Sequence, residues 1–243
     1  MVMSFRERSQ QPELMDTEPV GFTEFHDCLL SLSTINRWTL AYRPTLAWFG
    51  TVTRNRRQGG VVQSRPISVF DIGSGGGDML RSLKVWAQGR GLQVDLLGID
   101  LNPWSKKSAE LTAEPDASVR FETADCMAID PDRRADFIIS SLFTHHLSDQ
   151  ELVSFVQWMD RHATSGWFIN DLHRHPVPYY FIKYAVRLLF SNRLIRHDAP
   201  LSVARAFTAA HWRDILSRAG VAPERAHIFW AFPFRYCVSC TRV

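Results

Sequence analysis

The sequence predicts an α/β fold built on a mostly parallel sheet. Apolar runs that end in polar or acidic residues alternate with amphipathic segments, which is the pattern of strands and helices in such a sheet. A glycine-rich turn joins the first predicted strand to the helix after it. The chain has 243 residues, of which 45% are hydrophobic and 22% are charged. This length and composition are sufficient for one α/β domain with a substantial core.

The glycine-rich turn follows an apolar strand that ends in an acid and a final apolar residue. The candidate ligand-binding residues of this turn are Asp71, Gly73, Ser74, Gly75 and Gly77. A turn of this kind, which leads into a helix N-terminus, is the general site for a nucleotide-like ligand in an open sheet. The G-x-G-x-x-G pattern of dinucleotide sites is not completed, because the sixth position from Gly73 is Asp78. Acids on both sides of the turn favour a ligand with positive charge over a pyrophosphate.

Three later segments repeat the pattern of an apolar strand with a polar end. The candidate residues there are Asp100 and Leu101 after the second strand, Asp125 and Cys126 after the third, and Ser140 at the end of the fourth. An acid about 20 residues beyond the glycine turn can accept hydrogen bonds from both ribose hydroxyls. The alternative for Asp100 is that it caps the next helix.

These segments together resemble the motifs of the class I S-adenosylmethionine (SAM)-dependent methyltransferases. Asp71-x-Gly73-x-Gly75-x-Gly77 looks like motif I of that family. The resemblance implies SAM as cofactor and S-adenosylhomocysteine (SAH) as product, with Asp125 at the adenine amino group and Cys126 on the ring. It also implies a Rossmann-like fold, in which a seven-stranded, mostly parallel sheet has an antiparallel last strand, plus an N-terminal helical cap.

This resemblance and the helical spacing of apolar residues predict that the chain is divided into two parts. Residues 1–60 are expected to form an N-terminal tail, mobile up to about residue 20, and a helical cap. Residues 61–243 are expected to form the SAM-binding methyltransferase domain. An apolar and aromatic insert near residues 172–206 lies where family members often carry a lid, and a lid of this composition favours an apolar or aromatic acceptor.

Two predicted loops at the carboxyl ends of strands are rich in histidine. Transfer of a methyl group to a hydroxyl requires loss of a proton, which a base with a near-neutral pKa assists. The candidate bases are His146 and His173, and the candidate orienting partners are His145 and Asp171. We expect no metal. Catechol-type relatives bind one through acids after the fourth strand and an Asp-Asn pair after the fifth, where this chain has Ser140-Ser141 and the inverted pair Asn170-Asp171.

The predicted function is SAM-dependent methyl transfer to a hydroxyl of a small apolar or aromatic molecule of the polyketide or quinone type. Methylation of a quinone-type ring carbon is the closest alternative. A catalytically silent SAM-binding interaction module and an NAD(P)-dependent oxidoreductase are the others, although an oxidoreductase should show the completed glycine motif.

Composition and charge bear on partners and location. The net charge is +3, and Lys and Arg are dispersed. The resemblance implies Asn/Asp-Pro-Pro-aromatic after the fourth strand of enzymes that methylate nucleobase amino groups. This chain has Ser-Ser-Leu-Phe there, so we expect no nucleic-acid partner. The first twenty residues are polar, and the longest apolar stretch, residues 177–190, is short and carries Lys183 and Arg187. These features predict no stable membrane insertion and a cytoplasmic location. We expect a monomer or a homodimer.

Overall fold

The computed structural model describes residues 5–54, 65–112, 116 and 118–242. Within these residues, seven strands form one sheet. The strands are β1 (Ile67–Ile72), β2 (Val94–Asp100), β3 (Val119–Thr123), β4 (Ala135–Ser141), β5 (Ala163–Leu172), β6 (Ala226–Ala231) and β7 (Arg235–Thr241). The predicted domain boundary at residues 60 and 61 lies outside the described residues.

The strand order is β3-β2-β1-β4-β5-β7-β6. β1 to β5 pair in parallel, whereas β7 is antiparallel to both β5 and β6. This arrangement confirms the predicted Rossmann-like methyltransferase fold. The chain order reverses between β1 and β4, and ligands of open α/β sheets bind at the carboxyl ends of strands beside such a reversal.

Helices cover both faces of the sheet. Their bounds are α1 (Leu14–Thr17), α2 (Phe22–Trp38), α3 (Arg43–Val52), α4 (Asp78–Gln88), α5 (Pro103–Thr112), α6 (Asp149–His162), α7 (Pro176–Leu189), α8 (Arg193–Arg205) and α9 (Ala209–Arg218). Local sequence features account for the starts of two of these helices. Pro44 occupies the first turn of α3, and Ser148 with Glu151 forms the capping box of α6.

Two buried clusters form the core, one on each face of the sheet. Alternate residues of a strand point to opposite faces, so Val69 packs with α3 and α4 while Phe70 packs with α6 and α9. Trp48 of α3 stacks on Phe168 of β5 with ring centroids 4.9 Å apart, and Trp212 of α9 is fully buried on the other side. Both clusters hold the strands rigidly, which fixes the positions of their carboxyl ends.

Several of residues 5–20 form hydrogen bonds with the rest of the domain. The Arg8 guanidinium donates hydrogen bonds to the carbonyl oxygens of His145 and Leu147 and to Asp149. The first turn of α1 is tied to α8, because the backbone N–H groups of Leu14 and Met15 donate to the two carboxylate oxygens of Asp198. These partners lie in the second half of the chain, so the local polarity of the segment gave no indication of them.

No helix within the described residues combines the length and the apolar character that crossing a membrane requires. The predicted insert near 172–206 comprises α7 and α8, which pack against each other. One side of α7 exposes apolar side chains such as Phe181 and Leu188, while Val186 on the other side is buried.

Candidate active site

One cavity of about 1110 Å³ lies at the carboxyl ends of β1, β2 and β4. Its floor is formed by the glycine turn and the polar ends of these strands. Its remaining walls come from α2, from residues 13–20, and from one side of α7 and α8. Residues from distant parts of the sequence therefore line a single cavity.

The glycine turn adopts a backbone that requires glycine at two positions. Gly73 has φ 71°, and a Cβ there would lie 2.5 Å from the ring of Phe143. Gly77 has φ 74°, caps the N-terminus of α4, and would place a Cβ 2.5 Å from Phe121. The turn is thus held in a left-handed conformation that lets its backbone approach the cavity.

Asp71 is buried at the end of β1 and lines the cavity. Its Oδ1 has no hydrogen-bond partner among the described residues. Burial, together with the nearby charges of Asp78 and Asp100, raises the pKa of Asp71 well above its usual value. A buried carboxyl group with a free oxygen calls for a donor or a positive charge from a ligand.

Asp78, at the start of α4, links the glycine turn to the cap. The Tyr42 hydroxyl donates to Asp78 Oδ2 over 2.6 Å, and the Asn36 side-chain amide donates to the same oxygen over 3.2 Å. Because all three residues line the cavity, the cap and the turn form one continuous wall.

Asp100 both shapes the glycine turn and faces the cavity. The backbone N–H of Gly75 donates to Asp100 Oδ2 and that of Asn102 donates to Oδ1, each over 2.9 Å. Burial raises the pKa of the Asp100 carboxyl, although these hydrogen bonds oppose the shift. Each carboxylate oxygen has a second lone pair, so Asp100 can still accept bonds from a ligand.

The third strand end contributes Asp125 and Cys126. Asp125 Oδ1 accepts a hydrogen bond from the Met127 backbone N–H and caps a short 3₁₀ helix, Cys126–Ala128. Burial raises the pKa of the Cys126 thiol to about 12, so it is a neutral, apolar contact. Leu101 and Met127 also line the cavity and expose apolar surface beside it.

Two of the predicted cofactor residues do not line the cavity. Gly77 has the structural role given above, and the Ser140 hydroxyl donates to the Ile72 carbonyl within the sheet. The next residue, Ser141, does line the cavity, and its buried hydroxyl has no partner among the described residues. The difference arises because neighbouring strand residues point to opposite faces, and the sequence does not specify which of the two serines faces the ligand side.

His145 is buried and held by Asp171. Its Nδ1 lies 2.7 Å from Asp171 Oδ1, and its backbone N–H donates to Asp171 Oδ2 over 3.0 Å. The Thr144 hydroxyl donates to the same oxygen. Burial opposes ionisation of Asp171, but the charge and hydrogen bond of His145 lower the pKa of that carboxyl to about 2. Asp171 itself lies behind His145, away from the cavity lining.

His146 is oriented by a different acid. Its Nδ1 lies 2.7 Å from Asp16 Oδ2, and its ring centroid is 4.4 Å from that of His145. Burial opposes protonation, but the hydrogen bond to Asp16 and the charge of Glu13 raise the pKa of His146 to about 9. The structure thus brings His145 and His146 together at the cavity with two acids from the N-terminal segment.

His173 lies apart from this pair. Its half-buried ring contacts those of Tyr236 and His175, and its backbone forms a parallel β-bridge with Phe207. His173 does not line the cavity. Burial and the neighbouring charges of His175 and Arg174 lower the pKa of His173 to about 4.

Sequence reasoning missed the contribution of the N-terminal segment. Glu13 and Asp16 line the cavity beside the two histidines, although they belong to a distant part of the chain. Neither acid stands in a motif, so no local signal identifies them. Tyr42, the residue directly before α3, could have been weighed because it belongs to the predicted cap.

Residues 69–166 match a family model described as a methyltransferase domain. No curated protein gives a significant sequence match to this chain. Among solved structures, human N-acetylserotonin methyltransferase in complex with SAM is similar with a TM-score of 0.65 at 13% identity, covering 96% of this chain and 63% of that one. The plantazolicin methyltransferase in complex with SAH gives a TM-score of 0.64 at 13% identity, and the match covers 95% of this chain and 93% of that one.

Magnesium protoporphyrin IX methyltransferase from Synechocystis PCC 6803 with bound SAH gives a TM-score of 0.55 at 17% identity, covering 84% of this chain and 83% of that one. At such identities these similarities show the fold alone. The fold, the family match and the motif at the glycine turn all point to the same class of protein, the methyltransferases. Residues 69–166 therefore match the model of a methyltransferase domain, and the chain shares its fold with these solved methyltransferases.

Proposed function

We propose that this protein is a SAM-dependent methyltransferase that methylates a hydroxyl of a small apolar or aromatic molecule. The observation that carries this proposal is a single cavity that joins the acidic strand ends to an oriented pair of histidines. SAM is the cofactor and SAH the product. The similar solved structures, which hold SAM or SAH, support this choice of cofactor.

The residues at the strand ends fit SAM. The ligand carries a sulfonium and an ammonium group and no phosphate, which suits the unpartnered Oδ1 of buried Asp71. Asp100 would accept hydrogen bonds from the ribose hydroxyls with its remaining lone pairs. It already accepts hydrogen bonds from two backbone N–H groups. Asp125 would accept a hydrogen bond from the adenine amino group, while Cys126 and Leu101 would contact the adenine ring. Backbone groups of Gly73, Ser74 and Gly75 would lie along the amino-acid part.

The walls from the cap and the insert fit an apolar acceptor. They present aliphatic side chains in the cavity from three helices: Leu29, Leu32 and Ile35 of α2, Ile182 of α7, and Ile195 and Val203 of α8. An apolar cavity with few polar groups orients a small molecule through those groups and holds it by burial. The named acceptors of two similar proteins, N-acetylserotonin and a magnesium porphyrin, are aromatic small molecules and support this class.

Bound SAM would supply the methyl group as the electrophile of an in-line displacement, in which an O–C bond forms and the C–S bond breaks. The chain's contribution is to align the acceptor with that group and to promote loss of its proton. We assign the proton-handling role to the His145–His146 pair, with Asp171 orienting His145. His173 is not included in this proposal because it lies outside the cavity lining.

Methyl transfer to the ring carbon of a quinol remains the second candidate. The apolar walls suit such a ring equally well, and the histidines can remove a proton from its hydroxyl. The predicted cytoplasmic location, the absence of a nucleic-acid partner and the state of monomer or homodimer also stay predictions.

Transfer of label from methyl-tritiated SAM to a panel of phenols and hydroquinones tests the proposal. We expect at least one acceptor to become labelled, and mass spectrometry of the product to place the methyl on oxygen. A product methylated on carbon would favour the second candidate. SAH binding without transfer to any acceptor of the panel would instead favour a silent SAM-binding module.

A further inference from the structure

Three side chains that can bind a metal ion meet at the cavity wall. Ligand-type atoms of Glu13, His145 and His146 all lie within 4.8 Å of one another. His145 Nε2 is 3.7 Å from Glu13 Oε1, and His146 Nε2 is 3.8 Å from Glu13 Oε2. Both imidazole rings therefore direct the same nitrogen toward one carboxylate.

The other nitrogen of each ring is already engaged. Asp171 Oδ1 lies 2.7 Å from Nδ1 of His145, and Asp16 Oδ2 lies 2.7 Å from Nδ1 of His146. A carboxylate on the far nitrogen of a histidine fixes the tautomer and the ring orientation, and it is the usual support of metal-binding histidines. Here two different acids provide this support to two neighbouring histidines.

The spacing is close to that of a metal site. Ligand atoms about 2.1 Å from Zn²⁺ in a tetrahedral arrangement lie about 3.4 Å apart. The two measured N···O separations exceed this by a few tenths of an ångström. Asp171 and Asp16 hold the two rings, so an ion would have to draw the Glu13 carboxylate closer to them by this amount.

Charge at this place also suits a cation. Three carboxylates, those of Glu13, Asp16 and Asp171, surround the two rings. Arg205 Nε is 4.0 Å from Glu13, and its guanidinium donates to the carbonyl oxygens of His145 and His146. The Arg8 guanidinium also donates to the His145 carbonyl oxygen. A raised pKa keeps a proton on His146 beside these carboxylates, and a divalent ion that displaces this proton would replace its positive charge.

We propose that Glu13, His145 and His146 bind one divalent transition-metal ion at the acceptor side of the cavity. Two imidazole nitrogens and one carboxylate suit Zn²⁺ or a similar ion, whereas Mg²⁺ and Ca²⁺ prefer oxygen ligands. This site differs from the expectation of no metal, which rested on the poor supply of oxygen ligands after the fourth and fifth strands. Glu13 comes from the N-terminal segment and completes the set.

The role of the ion rests on the proposed function, although its binding does not. The three ligands line the same cavity as the glycine turn, and three protein ligands leave at least one coordination position open. A hydroxyl oxygen of the acceptor that binds there loses its proton more readily, as water does on Zn²⁺. With the ion in place the two histidines act as ligands, and the proton leaves from the bound oxygen to solvent.

The test uses the full-length protein, stripped of metal with a chelator and then titrated with Zn²⁺ by calorimetry. Co²⁺ serves as a second probe because its visible absorption reports coordination by nitrogen and oxygen. We expect one equivalent to bind, and Glu13→Gln and His146→Asn each to weaken Zn²⁺ binding at least tenfold. Asp16→Asn, which removes only the support of His146, should weaken it about 10- to 100-fold.

Matched controls are Glu7→Gln, an exposed acid of the same segment, and His227→Asn, an exposed histidine on β6. Both should bind Zn²⁺ as the wild type does. The proposal is overturned if the wild type binds no Zn²⁺, or if the ligand variants bind it equally well. Circular dichroism and SAH affinity are measured for every variant. A protein that binds SAH but no metal contradicts this inference and leaves the proposed function intact.

Discussion

Two halves of the cavity differ in how the chain builds them. We define the cofactor half as the glycine turn with the ends of β1, β2 and β3. We define the acceptor half as residues 13–20 with α2, α7, α8 and the His145–His146 pair. The cofactor half comes from consecutive strand–turn units in one continuous part of the chain. The acceptor half joins N-terminal segments with segments from the later part of the sequence.

This difference shows which parts of a site local physics determines. In the cofactor half, glycines with positive φ and acids at strand ends are dictated by the immediate backbone. In the acceptor half, His145 and His146 receive their orientation from Asp171 and Asp16, which come from different elements. We therefore expect changes in the cofactor half to alter SAM and SAH affinity, and changes in the acceptor half to alter turnover or acceptor affinity.

The largest effect should come from His145→Gln. The glutamine amide can still donate to Asp171, so the local structure is kept while the ring nitrogen at the cavity is lost. We expect kcat to fall about 10²- to 10⁴-fold with little change in SAH affinity. Initial rates with tritiated SAM measure this, and His227→Gln serves as control. An unchanged kcat would remove the histidine pair from the chemistry.

Asp100→Ala should have the next largest effect, confined to the cofactor half. It removes the acceptor of the Gly75 and Asn102 N–H groups and the proposed partner of the ribose. Hydrogen bonds to charged groups contribute about 1.5–3 kcal/mol, so we expect SAH affinity to fall about 10- to 150-fold. Calorimetry compares it with Asp95→Ala, a partly exposed acid on the same strand. Equal affinities in both variants would exclude Asp100 from the cofactor site.

Ile182→Ala should produce a smaller effect in the acceptor half. The side chain lines the cavity from α7, and loss of its methyl groups reduces the apolar surface that an acceptor can bury. About 1 kcal/mol of lost burial raises KM for the acceptor roughly fivefold. Leu188→Ala on the same helix, where the side chain is 85% exposed, should leave KM unchanged. A rise in the Kd of SAH instead of the acceptor KM would contradict the division into halves.

His173→Ala should have the smallest effect. The residue lies outside the cavity lining, so we expect kcat and both affinities to stay within about twofold of the wild type. Steady-state kinetics alongside the His145 variant check this. A large loss of kcat at unchanged SAH affinity would return the proton-handling role to the loop after β5.

The sequence was sufficient to predict the fold, and most of the residues it proposes for cofactor binding line the cavity. Strand periodicity, the glycine turn and the acids at Asp71 and Asp100 depend on neighbouring residues only, and the sheet order follows from the family resemblance. The choice between Ser140 and Ser141 was not predictable, since a shift of one residue reverses the side of the sheet that a side chain faces.

The acceptor half was predicted only in part. Histidine-rich loops at the ends of strands indicated a reactive region, and His145 and His146 lie together at the cavity. The positions of Glu13 and Asp16 depend on how Arg8 and Asp198 anchor the N-terminal segment to the domain. Such contacts between distant segments have no period or spacing in the sequence, so local patterns could not reveal them.

The central claim is that the acidic strand ends surround a positively charged adenosyl ligand and not a dinucleotide. Calorimetric titration of the full chain with SAH, and separately with NADH, tests it most directly. We expect one saturable SAH site per chain and no heat of binding with NADH. The affinity for SAH should be weaker in Asp100→Ala. Binding of NADH together with no uptake of SAH would contradict it.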